Sequence, residues 1–82
     1  MSLEPINKKN VRRVKYDNPE LWDWLGDKYI KHSESDGLTL SLDVMTPAGP
    51  ATAKHDDYII KIDDKFLVVR GKTFQQCFKQ VD

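Results

Sequence analysis

The last third of the chain does most to decide what it can fold into. Two β-rich runs, Tyr58-Ile59-Ile60-Lys61-Ile62 and Lys65-Phe66-Leu67-Val68-Val69, flank the pair Asp63-Asp64. β-Branched and aromatic residues suit a pleated, half-buried surface, and aspartates between them favour a turn, so the stretch reads as a hairpin. Its register decides the core. With Asp63 and Asp64 alone as the loop, Ile62 faces Lys65 and apolar residues scatter over both faces. A three-residue loop of Asp63, Asp64 and Lys65 pairs Ile62 with Phe66 and Ile60 with Val68. That register gathers Tyr58, Ile60, Ile62, Phe66 and Val68 on one side and is the one expected. After Gly71, Thr73-x-x-Gln76 reads as a capping box. Phe74, Cys77, Phe78 and Val81 then recur at helical spacing, which predicts a terminal helix with Cys77 buried on its packed face.

Upstream, Val11-Arg12-Arg13-Val14-Lys15-Tyr16 predicts a short strand with Val14 and Tyr16 on one face, its charges suiting an edge position. Asp17-Asn18-Pro19-Glu20 announces a helix, with proline at the first helical position and an early acid. Leu21, Trp22, Trp24 and Leu25 are its apolar residues, and Gly26 ends it. Tyr29 and Ile30 form a short strand or a docked turn, and His32-Ser33-Glu34-Ser35-Asp36-Gly37 is a polar loop. Leu38 to Val44 alternates without a fault, which predicts a strand with one buried and one wet face. Thr46-Pro47-Ala48-Gly49-Pro50 is a turn, and Ala51 to Lys54 a returning strand.

These elements describe an α+β fold: a small antiparallel sheet of four to five strands covered by two short helices. With 82 residues there is room for one core, and a cleft between domains is excluded. Residues 1–9 read as a loose N-terminal arm and residues 10–82 as the single domain.

At this point the chain resembles a group of small phage and prophage proteins. Those proteins have a basic lead-in, a strand ending in Gln-Trp, and a C-terminal Gly-Asp-Tyr-Ile-Ile-Lys-Gly segment before Glu-Phe-Tyr-Pro-Cys. The corresponding residues are Lys8-Lys9-Asn10-Val11, the strand ending at Tyr16, Trp24-Leu25-Gly26-Asp27 and Asp57-Tyr58-Ile59-Ile60-Lys61. His55-Asp56 and Phe66-Leu67-Val68-Val69 depart from the pattern. The resemblance implies a phage or prophage origin and a small accessory role inside the host bacterial cell. The group carries no established activity, so no functional residue is carried over.

The residues themselves argue against catalysis. His55-Asp56-Asp57 offers three metal-ligand types in a row, but adjacent residues rarely converge on one ion, and Asp63-Asp64 lies at the far end of the same strand. His32 beside serines lacks the preorganised geometry a relay needs. Phosphate loops, paired Cys-x-x-Cys and His-x-x-x-His motifs do not occur. No enzyme activity, cofactor or metal is expected.

Binding is the remaining class. Lys8, Lys9, Arg12, Arg13 and Lys15 put five bases in eight residues without an acid, although the chain as a whole has no net charge. Trp22, at the flank of the helical stripe, can show at the surface and anchor a partner. The candidate interaction surface is therefore Lys8, Lys9, Arg12, Arg13, Lys15 and Trp22. The expected partner is another protein or a second copy of the chain, with nucleic acid contacted through the basic strand as the alternative. No apolar run approaches the roughly 20 residues of a membrane span and no signal segment opens the chain, so a soluble cytoplasmic protein without a membrane partner is expected.

Overall fold

The computed structural model describes residues 3–15, 19–33 and 40–82. In chain order these form β1 (Glu4–Asn7), a 3-10 helix (Lys8–Asn10), β2 (Val11–Arg13), α1 (Pro19–Leu25), β3 (Tyr29–Ser33) and β4 (Leu40–Thr46). They continue with β5 (Gly49–Lys54), β6 (Tyr58–Ile62), β7 (Lys65–Val69), α2 (Gly71–Cys77) and β8 (Phe78–Val81). The α+β class holds, but strand number and helix coverage differ from expectation. Eight strands are described, in three small sheets ordered β1-β8, β2-β6-β7 and β3-β4-β5. The β1-β8 pair is parallel, and the other strand pairs are antiparallel.

The hairpin register is the main correction. Ile62 pairs with Lys65, Lys61 with Phe66, Ile60 with Leu67 and Ile59 with Val68, leaving Asp63-Asp64 as a two-residue loop. Both aspartates have positive φ, 50° and 65°, as a type I′ turn demands, and aspartate tolerates that region better than most side chains. Apolar residues on both faces are no fault here, because both faces are covered. Ile59 and Phe66, with Val68 beside them, pack into one cluster with Val14, Leu21, Leu25, Leu42, Val44 and Ala53. Tyr58 and Ile60, with Val69, belong to a second cluster with Val11 and Phe74. The β2-β6-β7 sheet is thus a middle layer. On one side lie α1 and the β3-β4-β5 sheet; on the other lie α2 and the β1-β8 ribbon. Ile62, expected in the core, is half exposed at 50%.

The chain termini give the second correction. Residues 4–7, expected to be loose, form β1, whose partners Glu4↔Phe78 to Asn7↔Val81 lie at the other end of the chain. The terminal helix stops at Cys77 because Phe78 turns to an extended conformation (φ −129°, ψ 153°) once its N–H has bonded Phe74 O. Phe78 to Val81 exchange helical bonds for a strand ladder, and Cys77 is exposed instead of buried. Thr73 is not the cap either. Arg70 occupies that position without a side-chain bond, and the Gly71 N–H donates instead to Asp57 Oδ1, 3.3 Å away.

Other expectations hold. α1 starts at Pro19 and is followed by Gly26 at φ 66°, whose N–H bonds Trp22 O at 3.0 Å. Tyr29 and Ile30 lie in a strand, β3. The alternating segment is β4, with Leu42 and Val44 fully buried. Its turn to β5 is tight: Thr46 faces Gly49, Thr46 Oγ1 donates to Gly49 O at 2.6 Å, and Ala48 N donates to Thr46 Oγ1 at 3.2 Å. Tyr16, Asp17, Asn18 and residues 34–39 lie outside the described residues.

Gly71 is required by a close approach. A Cβ there would sit 2.4 Å from the backbone oxygen of Asp56, a distance that forces main chain to move. Gly71→Ala is expected to cost about 1–3 kcal/mol, the usual range for overpacking against a rigid neighbour, read as a lower urea midpoint at unchanged slope. An unchanged midpoint would show that the α2 entry gives way freely.

Candidate functional site

The basic block is brought together along an edge of the middle sheet. β2 pairs with β6 on one side and has no strand on the other among the described residues. Val14 N donates to Asp57 O and Val14 O accepts from Asp56 N, both at 2.8 Å. By the alternation of an antiparallel ladder, the main-chain groups of Arg13 then turn to the open edge. A groove of about 530 Å³ runs along this edge, lined by Lys8, Lys9, Val11, Arg12, Arg13 and Lys15 together with Glu20, Tyr58 and Gln80. All five bases of the candidate surface meet there. Trp22 does not: it is half-buried against the first cluster and stacks on Tyr29 at 5.0 Å between ring centroids.

The five bases are not equivalent. Arg12 is a structural staple. Its Nη1 donates to the carbonyls of Lys8 (3.0 Å), Lys9 (3.2 Å) and Val11 (2.8 Å), satisfying the end of the 3-10 helix. Its Nε lies 3.3 Å from Glu20 Oε1, within ion-pair range but without hydrogen-bond alignment. Its guanidinium carbon sits 5.0 Å from the centroid of Trp24, which meets Phe66 edge to face at 5.1 Å. The staple therefore ties the groove to the core. Arg13 bonds Asp56 Oδ1 at 2.6 Å, and Lys8 pairs with Asp82 at 2.6 Å. Both are surface pairs, of the kind worth little and dissolved by salt. Lys9 and Lys15 have no ion-pair partner among the described residues and supply the groove's uncompensated charge.

Among the described residues the groove offers cations without a stacking platform. Tyr58, its aromatic lining residue, is 7% exposed and stacked on Phe74 at 4.0 Å. Sequence-tolerant binding of single strands relies on exposed rings for stacking, and none among the described residues lines this groove.

The aspartates and histidines noted in the sequence have structural places. Asp57 is buried, and its Oδ2 accepts from Lys54 N (3.0 Å) and Arg70 Nη1 (2.7 Å). Asp56 occupies a left-handed turn position at φ 73°, and His55 Nε2 lies 3.5 Å from its Oδ1. His32 stands in β3 opposite Ser41, and its former loop neighbours Glu34, Ser35 and Asp36 lie outside the described residues. No group of three or more potential metal ligands converges among the described residues. No helix among them is long and apolar enough to cross a membrane.

A second groove, absent from the sequence reading, lies between the β1-β8 ribbon and the β6-β7 hairpin. It measures about 590 Å³ and is lined by Ile6, Ile60, Ile62, Leu67 and Phe78 among others. The signal that could have found it is the two-residue hairpin loop, which sends Ile62 and Leu67 to the same face beyond the reach of α2. In comparisons with protein-family models, curated proteins and solved structures, nothing matches this chain.

Proposed function

We propose that this chain is a non-catalytic accessory module, of the phage or prophage kind its sequence resembles, that works by binding another protein. The groove along β2 receives an extended, acid-bearing segment of the partner. The observation carrying this reading is the coincidence of five bases with an open strand edge in one groove. An added strand gains main-chain hydrogen bonds from the edge, while the flanking cations select acidic side chains. The buried state of Tyr58 favours a peptide over a single-stranded polynucleotide, which would find no ring to stack on among the described lining residues. His55 and Asp57, which could otherwise serve as acid or base, are occupied in the turn that anchors β6 and α2.

A short oligoglutamate peptide and an oligothymidylate of equal charge, each fluorescently labelled, test the reading by anisotropy. The double variant Lys9→Glu, Lys15→Glu is expected to bind the peptide at least about tenfold more weakly, and raised salt to weaken the wild type similarly. These two lysines are chosen because Arg12 holds the fold. Preference for the oligonucleotide would put nucleic-acid binding first, and peptide binding indifferent to both lysines and to salt would remove the groove.

A further inference from the structure

We propose that Arg12 sets the register of the strand that the β2 edge accepts: it closes the edge at Val11, so an incoming acid-bearing segment pairs with Arg13 and Lys15 alone. This closure rests on the reading of the groove as a receptor for such a segment. In a strand, side chains alternate, so Val11 and Arg13 share one face and Arg12 and Val14 the other. Burial agrees: Val11 belongs to the cluster of Tyr58 and Phe74, and Val14 to that of Leu21 and Leu25. The Arg12 side chain accordingly leaves on the α1 side, where its guanidinium carbon lies 5.0 Å from the Trp24 centroid and its Nε 3.3 Å from Glu20 Oε1. Yet its Nη1 donates to the carbonyls of Lys8, Lys9 and Val11. The guanidinium thus wraps over the rim of the sheet.

Main-chain direction decides what this blocks. Val14 turns both its N–H and its C=O toward β6, bonding Asp57 O and Asp56 N. In a trans peptide the C=O and the following N–H point opposite ways, so the Arg13 C=O and the Lys15 N–H face outward. By the alternation of the ladder Arg12 is the next residue turned toward β6, and Val11 turns its C=O outward. That outward carbonyl is filled by Arg12 Nη1 at 2.8 Å. An incoming chain can therefore bond the Arg13 C=O and the Lys15 N–H, which no strand covers among the described residues, but not the Val11 C=O. Displacing the guanidinium would also release the Lys8 and Lys9 carbonyls and its contact with Trp24. Charged side chains at an edge limit uncontrolled strand pairing. Here the limit leaves a short opening beside Lys15, a groove cation with no ion-pair partner among the described residues.

Carbonyl carbon shifts of the isotope-labelled full chain, followed by nuclear magnetic resonance as a short glutamate peptide with serine flanks is added, test the proposal. In the wild type the Arg13 carbonyl is expected to move and the Val11 carbonyl to stay, since only the first accepts a new bond. Arg12→Lys keeps the charge, but a compact ammonium lacks the rigid fork that holds the guanidinium across these carbonyls. In that variant the Val11 carbonyl should move as well, and the peptide should bind about three- to tenfold more tightly, the worth of one added main-chain bond. An arginine with a merely structural role would give no such gain. A wild-type Val11 carbonyl that moves together with that of Arg13 would overturn the proposal, whether or not the variant folds. A folded Arg12→Lys variant with unchanged or weaker affinity would overturn it equally. Failure of the underlying reading looks different: peptide binding that ignores Lys9→Glu, Lys15→Glu, or that leaves the Arg13 carbonyl in place, would remove the strand-accepting groove and this closure with it.

Discussion

Phe66→Ala is expected to lower the unfolding free energy by about 3–5 kcal/mol, the usual cost of emptying a buried aromatic site. Phe66 is 4% exposed in the first cluster, meets Trp24 edge to face, and carries Lys61 Nζ at 5.7 Å from its centroid. It sits on β7, the strand against which β4 and β5 pack, so its ring joins the middle sheet to the β3-β4-β5 sheet. Collapse around the void is limited, because the neighbours Leu42, Val44 and Ile59 are held in sheet ladders. A domain of this size has a stability near the lower end of the common 5–15 kcal/mol. The variant should therefore be partly unfolded at room temperature, seen as loss of the near-ultraviolet circular dichroism of the tryptophans. A loss below about 1 kcal/mol in urea unfolding would mean the two sheets do not depend on this ring.

Asp57→Ala should cost about 2–4 kcal/mol through a different mechanism. The Asp57 carboxylate joins two separate pieces of backbone, the end of β5 through Lys54 N and the first turn of α2 through Gly71 N, and also binds the Arg70 side chain at the exit of β7. Its side chain is 11% exposed, so removing it strands buried donors with little water to replace the lost acceptor. Asp57→Asn sharpens the test. An amide oxygen directed at Lys54 N and Arg70 keeps two of the bonds but opposes an NH2 group to the Gly71 N–H, so about half the loss is expected. Arg70→Ala should cost less than Asp57→Ala because the arginine side chain is 62% exposed. Equal losses for both substitutions would show that the ion pair, and not the backbone bonds, holds the turn.

Local signals in the sequence describe elements whose stabilising partners are near in the chain. Pro19 and Gly26 bound α1, and the alternation of β4 places Leu42 and Val44 inside, because capping, turn chemistry and period-two burial act over a few residues. The hairpin register differs from the expected one for one physical reason: the middle sheet is covered on both sides and not on a single face, so Asp63 and Asp64 suffice as a loop. β1 was invisible because its partner, β8, lies at the other end of the chain and Glu4 to Asn7 show no alternation of their own. That same pairing ends α2 early and brings Cys77 to the surface. The cap of α2 was equally hidden, since Asp57 supplies it from 14 positions away.

The candidate site was legible as composition but not as geometry. Five bases in eight residues are plain, as is their suitability for an edge strand. That Arg12 turns back on three carbonyls depends on the 3-10 helix of Lys8–Asn10, which the sequence does not announce. Neutralisation of Lys8 by Asp82 and of Arg13 by Asp56 follows from the parallel ribbon and the β2-β6 pairing. The apolar groove is not legible in the sequence, where Ile62 reads as a core residue although it is half exposed.

The groove along β2 is most directly tested by titrating the isotope-labelled protein with the oligoglutamate peptide and following backbone amide shifts by nuclear magnetic resonance. Binding at the open edge predicts the largest changes at Lys9, Arg13, Lys15 and Gln80, with Ile62 and Leu67 unmoved. Changes concentrated elsewhere, or no change at peptide excess in low salt, would contradict it.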